Sequence, residues 1–222
     1  FADELENSPD FEKALQTLIK REITGHWRIL FNGNGYDSSW TQEAERRGLK
    51  NYPTLPDAME HYLDRKNIDL FVNAGIYSEI EMHTHFEVKL EKYCQVLNIE
   101  VETMLEMINK DILPAAFRYM KMLSESVCSM KSAVGITCAA ESGLLKKLSA
   151  MADELEAKTE ELSSKHLAAK QLTTMQERAS FYAKTVIPAM SEVRAAADRM
   201  EPLIAEEFRP FPSYEDLLFS VN

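Results

Sequence analysis

A long helical stripe that continues past a proline constrains this sequence more than any other feature. Between Asn98 and Met130, apolar residues return every three or four positions, which places them on one face of a helix. The members of this stripe are Val101, Leu105, Ile108, Ile112, Ala115, Tyr119 and Leu123. Pro114 lacks the N–H that a helix interior uses, and its ring clashes with the preceding turn. The stripe keeps its phase past Pro114, so it predicts one long helix bent at residues 112–115.

Two later segments, residues 141–169 and 174–207, carry stripes of similar length. On the first, Leu155, Leu162 and Leu167 mark the predicted apolar face. On the second, Pro188 stands at the centre just as Pro114 does on the earlier helix. Matched kinks would let the two helices curve together, although coincidence in helices rich in alanine and aliphatic residues explains the pair equally well. The three stripes predict a bundle of long helices.

Short helices around one strand are predicted for the first ninety-odd residues. Ser8 and Pro9 are typical of a helix start, and an aromatic, β-rich run at residues 27–31 predicts a strand. Ser78 and Glu81 form a capping box that opens another helix. The fold class is therefore mainly α, divided into residues 1–97, 98–207 and a tail, 208–222. Two prolines end the last helix, and the tail offers Leu217, Leu218 and Phe219 for docking.

Composition excludes several classes of protein. The formal net charge of −11 disfavours binding to nucleic acid. Three cysteines without C-x-x-C spacing suit a reducing cytosol, and the absence of a long apolar run predicts a soluble protein without a membrane partner. Because residues 1–5 already have a helical pattern and no methionine precedes them, we expect the natural polypeptide to start upstream of Phe1.

Three patterns have both a structural and a functional interpretation. The Asn-Gly pairs of residues 32–36 predict a sharp turn, and phosphate binding is the alternative, although no Gly-Lys-Ser/Thr follows. Glu81 and His85 lie four apart and could share a metal ion, or they are exposed neighbours near His83. The methionines either fill the core or line an adaptable groove; they are Met104, Met107, Met120 and Met122. The other histidines, His26, His61 and His166, are isolated in sequence.

An ordered set of short segments resembles the C-terminal part of type III glutamine synthetase, the large bacterial form of that enzyme. These segments are 1–6 (FADELE), 28–36 (RILFNGNGY) with Trp40, 43–49 (EAERRGL), 90–93 (LEKY), 98–100 (NIE), 111–115 (DILPA), 211–214 (FPSY) and 216–221 (DLLFSV). They follow the family order from one end of the chain to the other.

The resemblance implies a parent ligase of nitrogen metabolism that joins ammonia to glutamate with ATP and Mg²⁺. It places the catalytic, metal-binding and phosphate-binding residues upstream, so no catalytic, cofactor or metal residue is assigned in this stretch, which is expected to be inactive alone. Residues 1–97 would be the helical end of the catalytic domain, and residues 98–207 a type-specific helical addition. The implied partners are the upstream catalytic domain and further copies in a cytoplasmic homo-oligomer. The alternative is a stand-alone helical scaffold or regulatory protein-binding module without activity.

Overall fold

The structure is a computed structural model that describes residues 1–219. It divides into two compact units: the N-terminal unit, Phe1–Pro53, and the bundle unit, Thr54–Asn222. Ser220, Val221 and Asn222, which belong to the predicted docking tail and to the resemblance, lie outside the described residues. Residues 1–219 form helices and turns without a β-strand, which confirms the mainly α fold class.

Three helices and one 3₁₀ turn make the N-terminal unit. They are α1 (Ala2–Glu6), α2 (Phe11–Gly25), the 3₁₀ turn Trp27–Ile29, and α3 (Ser38–Arg46). The Asp37 carboxylate caps α3 by accepting a hydrogen bond from the Ser39 backbone N–H. The predicted cap at Ser8 is wrong, because Asp10 caps α2 by accepting from the Lys13 N–H.

The predicted strand at residues 27–31 is also wrong. Its first three residues form the 3₁₀ turn, and Leu30 then has an extended backbone, with φ −85° and ψ 127°. Aromatic and β-branched residues favour a strand only where a neighbouring strand offers hydrogen bonds and side-chain contacts. No strand exists among residues 1–219 to pair with, and Phe31 instead stacks on Trp40 of α3, with ring centroids 4.3 Å apart.

The bundle unit begins with two short helices and then a long one. They are α4 (Leu55–Met59), α5 (Arg65–Asn73) and α6 (Glu79–Met107). Thr54 caps α4 and the predicted capping box of Ser78 and Glu81 opens α6. Helix α6 is continuous through residues 97 and 98, the predicted boundary between the region 1–97 and the region 98–207. That domain division stays a prediction.

Each long helix that contains a central proline carries a π-helical turn just before it. The turn Ile108–Ile112 joins α6 to α7 (Leu113–Val134), and Tyr182–Val186 joins α9 (Met175–Phe181) to α10 (Ile187–Met200). In these turns the N–H of Leu113 or Ile187 donates to a carbonyl five residues back. The wider turn accommodates a proline ring that would clash with the carbonyl four residues back in a regular helix. The helix therefore passes each proline without ending.

Helix α8 (Ala139–Gln171) is the central surface of the bundle, packing against both α7 and α10. Its buried residues recur at alternating spacings of three and four: Leu148, Ala152, Leu155, Thr159, Leu162, His166 and Ala169. Leu167, which was predicted for this face, points away and is 57% exposed. The three long helices of the bundle are confirmed, although the third ends at Met200 and gives way to the 3₁₀ turns Glu201–Leu203 and Glu206–Phe208.

A short helix, α11 (Tyr214–Phe219), follows the tail prolines. The carboxylate of Asp216 accepts hydrogen bonds from the Ser213 N–H and hydroxyl, which fixes the start of this helix. The side chains of Leu217, Leu218 and Phe219 remain exposed. Within residues 1–219, none of the helices is long and apolar enough to cross a membrane.

Two leucines of α8 provide a matched test of the bundle. We expect Leu155→Ala to lower the free energy of unfolding by about 2–5 kcal/mol, because it leaves a cavity between packed helices. Leu167→Ala, made on the exposed side of the same helix, should cost less than about 1 kcal/mol. Urea unfolding followed by circular dichroism measures both, and equal costs would contradict the assigned face.

Candidate interaction surfaces

A clamp centred on Arg47 holds the loop after the 3₁₀ turn against α3. The Arg47 guanidinium donates to the Leu30 carbonyl and to the Glu43 carboxylate, and it lies 5.8 Å from the centre of the Trp40 ring. Phe31 stacks on the same tryptophan. The clamp thus joins loop and helix through an ion pair, a backbone hydrogen bond and aromatic stacking, so the loop has a defined shape.

Gly33 lies directly under the Phe31 ring. A Cβ atom at this position would lie 2.6 Å from Phe31 Cζ, which is closer than two carbon atoms can pack. The Asn34 side chain accepts a hydrogen bond from the Tyr36 N–H and completes the turn. The glycine therefore makes room for an aromatic ring of this chain, which supports the structural interpretation of residues 32–36 over phosphate binding.

The N-terminal unit leaves several large apolar side chains exposed. Trp27 is 62% exposed and Tyr36 is fully exposed at the tip of the loop. The other exposed apolar side chains of the N-terminal unit include Phe1, Phe11, Ile19, Ile23, Ile29 and Leu30. Surfaces with this many exposed aromatic and aliphatic residues are typical of protein interfaces.

The histidines and cysteines do not assemble a metal site. The Glu81 carboxylate accepts hydrogen bonds from the Ser78 N–H and hydroxyl, and the His85 ring packs edge-on against Tyr77. Among residues 1–219, three metal-ligating side chains do not come together anywhere. That ATP and the metal ion are held elsewhere in the protein stays a prediction.

His166 and Tyr182 form a buried polar pair that the sequence did not reveal. The Tyr182 hydroxyl lies 3.3 Å from His166 Nδ1, and His166 Nε2 is buried without a hydrogen-bond partner. Glu102 comes within 3.8 Å of Nε2 but is bound more closely by Lys170, at 2.8 Å. Burial, with a smaller contribution from the Lys170 charge, lowers the pKa of His166 below its usual value. The imidazole is therefore held neutral inside the bundle.

An apolar groove lies between α6 and α10, within the bundle unit. Its volume is about 690 Å³, and Met104, Met107 and Met190 lie along it. Of the four methionines singled out in the sequence, Met104 and Met107 thus line a groove, whereas Met120 packs against the core and Met122 is partly exposed. Arg209 and Phe211 of the tail form one end of the groove.

The comparisons with known proteins agree with one another. A family model described as the glutamine synthetase C-terminal domain matches residues 14–131. A glutamine synthetase from Butyrivibrio fibrisolvens is 37% identical over 96% of this chain and 31% of its own length. A type-3 glutamine synthetase from Dictyostelium discoideum and a glutamine synthetase from Bacteroides fragilis (strain YCH46) are each 30% identical over 94% of this chain and 29% of their own length. The chain spans about three-tenths of the length of these curated relatives.

The clamp predicts an unusually acidic Glu43. Hydrogen bonds from Arg46 and then Arg47 lower the pKa of this carboxyl to about 2. Since the folded pKa is depressed, the stabilisation from Glu43 is fully present above the ordinary value of 4.5 and is lost as the pH falls towards 2. NMR titration of the Glu43 side-chain carboxyl carbon measures this directly. Arg46→Gln should raise the midpoint, and a wild-type midpoint near 4.5 would contradict the clamp.

The buried imidazole predicts a second pH effect, centred on His166. Its pKa in the folded state is below 6.5, so the unfolded chain binds the proton more tightly. The stability contribution is fully present above about pH 6.5 and is lost as the pH falls towards the lowered pKa. We expect the urea midpoint to drop less between pH 7.5 and pH 5 in His166→Gln than in the wild type. His83→Gln, at an exposed site on α6, is the matched control and should keep the wild-type drop.

Proposed function

The chain belongs to the glutamine synthetase C-terminal domain family, and we propose that it serves as a non-catalytic packing and assembly region of a type III enzyme. Its partner in this role is the catalytic part of the same polypeptide, upstream of Phe1. The proposed division assigns residues 1–97 to the helical end of the catalytic domain. Residues 98–207 are then the type-specific bundle, and residues 208–222 the docking tail.

The observation that carries this proposal is the small core of the N-terminal unit. Within Phe1–Pro53, all of which the structure describes, Leu18 and Ala44 are the buried hydrophobic residues. Units of this size have difficulty stabilising themselves even with a well-filled core, because their ratio of surface to volume is high. The exposed side chains on α2, Phe11, Ile19 and Ile23, recur along one stripe at helical spacing. A covering surface from the rest of the enzyme would supply the burial that the unit lacks.

We base the proposed activity of the whole protein on its relatives. We infer that the whole protein ligates ammonia to glutamate with ATP and Mg²⁺, in a bacterial cytoplasm and as a homo-oligomer. We assign this chain no step of the reaction, because the resemblance places the catalytic and metal-binding residues upstream of Phe1. Its contribution is to pack against, and thereby stabilise, the parts that carry the chemistry.

A regulatory binding module is the second candidate. The groove between α6 and α10 is the feature that favours it, because an open, methionine-lined groove suits a ligand better than a sealed core does. In this alternative the bundle binds a ligand or partner without any catalytic parent.

Hydrogen exchange tests the packing role. We expect the amides of α2 to exchange at least about tenfold faster in the 222-residue chain than in the polypeptide extended by its natural upstream sequence. The amides of α8 are an internal control, because its buried face is covered within the bundle unit, and they should exchange equally in both. Equal protection of α2 in the two proteins would overturn the packing role.

Two further measurements separate the alternatives. Ile19→Glu should weaken the packing of α2 against the rest of the extended protein, because it places a charge in the apolar stripe. Gln16→Glu, at an exposed polar position on the same helix, should leave that packing unchanged. The 222-residue chain given glutamate, ammonia, ATP and Mg²⁺ should form no glutamine. Measurable turnover by the chain alone would contradict its non-catalytic assignment.

A further inference from the structure

The groove of the bundle unit is elongated. Its main part runs from Glu100 to Ile112 on one side and from Met190 to Ile204 on the other. A shallower recess of about 390 Å³ shares Met104 and Met190 with it and extends it to Leu97 and Ile187. The fifteen residue-to-residue steps from 97 to 112 correspond to a rise of about 22 Å along the helix. The space therefore suits a long, narrow occupant.

The π-helical turn before Pro114 forms part of the groove wall. Ile108 and Ile112 are the first and last residues of that turn, and both line the groove. A π turn widens the helix locally and shifts the side chains that follow, so they do not continue the packing of a regular helix. The π turn of the proline-containing helix thus contributes two residues to the groove wall.

The lining is apolar and adaptable. Methionine side chains have three rotatable bonds and a polarisable sulfur, which lets them follow the shape of different apolar ligands. Met104, Met107 and Met190 line the groove, with Phe211 of the tail at one end. A volume of about 690 Å³ falls in the range of roughly 300–1,000 Å³ that is usual for small-molecule sites. It is a volume for one small ligand, which favours such a ligand over a protein helix.

Arg209 supplies a charge at the tail end of the groove. It is half-buried, and its Nε donates to the Ile204 carbonyl at 3.2 Å. Among the side chains that the structure describes, Arg209 forms no ion pair with a carboxylate, and Asp216 instead accepts hydrogen bonds from Ser213. Arg194, the other guanidinium of the groove, already pairs with Asp198 at 3.3 Å.

The remaining charges of the rim are acidic. Glu100 and Glu201 also line the groove, and both are exposed to solvent. Exposed charges are screened by water and salt, whereas the half-buried guanidinium of Arg209 is screened less. An anionic group is therefore attracted to the Arg209 end and not to the rest of the rim.

We propose that this groove binds an elongated amphiphilic carboxylate, with the apolar chain along Met104, Met107 and Met190 and the carboxylate on Arg209. The site is independent of the packing role of the N-terminal unit, because every residue that lines it belongs to the bundle unit. The ligand class follows from the three features together: a long apolar groove, a small-molecule volume and one guanidinium that pairs with no carboxylate among the described side chains.

Titration of the 222-residue chain with decanoate tests the proposal. NMR spectra of methyl-labelled methionine should show saturable shifts at Met104, Met107 and Met190. Met122 is the matched control, since it is as exposed as Met107, at 37%, but does not line the groove. Decanol, which has the same chain without the carboxylate, should bind about tenfold more weakly, because it cannot form the charged hydrogen bond with Arg209.

Paired arginine variants identify the charged contact. Arg209→Gln should weaken decanoate binding about tenfold and leave decanol binding unchanged, which also shows that the variant keeps its fold. Arg194→Gln should change decanoate affinity less than about twofold, because that guanidinium is already paired. Shifts confined to methionines outside the groove, equal binding of decanoate and decanol, or no binding would each overturn the proposal.

Discussion

A proline cannot donate the hydrogen bond that a helix interior requires, and the bundle depends on how this chain meets that constraint. Before both Pro114 and Pro188 the backbone widens into a π turn, so the donor of the preceding residue reaches a carbonyl five positions back. The helix consequently runs from Glu79 to Val134 without a break. Its α-helical hydrogen-bond pattern is interrupted once, by the π turn Ile108–Ile112. The same widening shapes the wall of the groove between α6 and α10. One local backbone rule therefore lets the long helices continue past their prolines, and the first π turn also contributes Ile108 and Ile112 to the groove wall.

The two units differ in how much apolar surface they bury. The bundle unit buries a continuous row of side chains on α8, with Leu155 and Leu162 wholly covered by neighbouring helices. The N-terminal unit has specific local bonds, above all those of Arg47, yet very little buried apolar surface. Hydrogen bonds and ion pairs give a loop its shape, but burial supplies most of the free energy of folding. This contrast is the physical basis for the proposal that the N-terminal unit packs against another part of the protein.

Particular residues show where sequence patterns succeeded and where they failed. The capping box at Ser78 and Glu81 was predicted correctly because its hydrogen bonds involve only neighbours in the chain. The strand at residues 27–31 was wrong because a strand needs a partner that its own sequence does not contain. Leu167 was assigned to the buried face in place of His166, although His166 has the same spacing from Leu162 as other members of the buried row. Following that spacing strictly, and accepting a polar residue within it, would have found the buried histidine.

The sequence by itself determined the helical class, the three long helices, the helix start at the capping box of Ser78 and Glu81, and the resemblance to the glutamine synthetase C-terminal region. These properties follow from residues within a few turns of one another or from ordered short segments. The tertiary structure alone decided the Arg47 clamp, the pairing of His166 with Tyr182 and the groove that ends at Arg209. Each of these joins residues distant in the chain, at positions 30 and 47, 166 and 182, or 104 and 209. The physical reason is that such contacts depend on how packed helices align in space, which local periodicity does not specify.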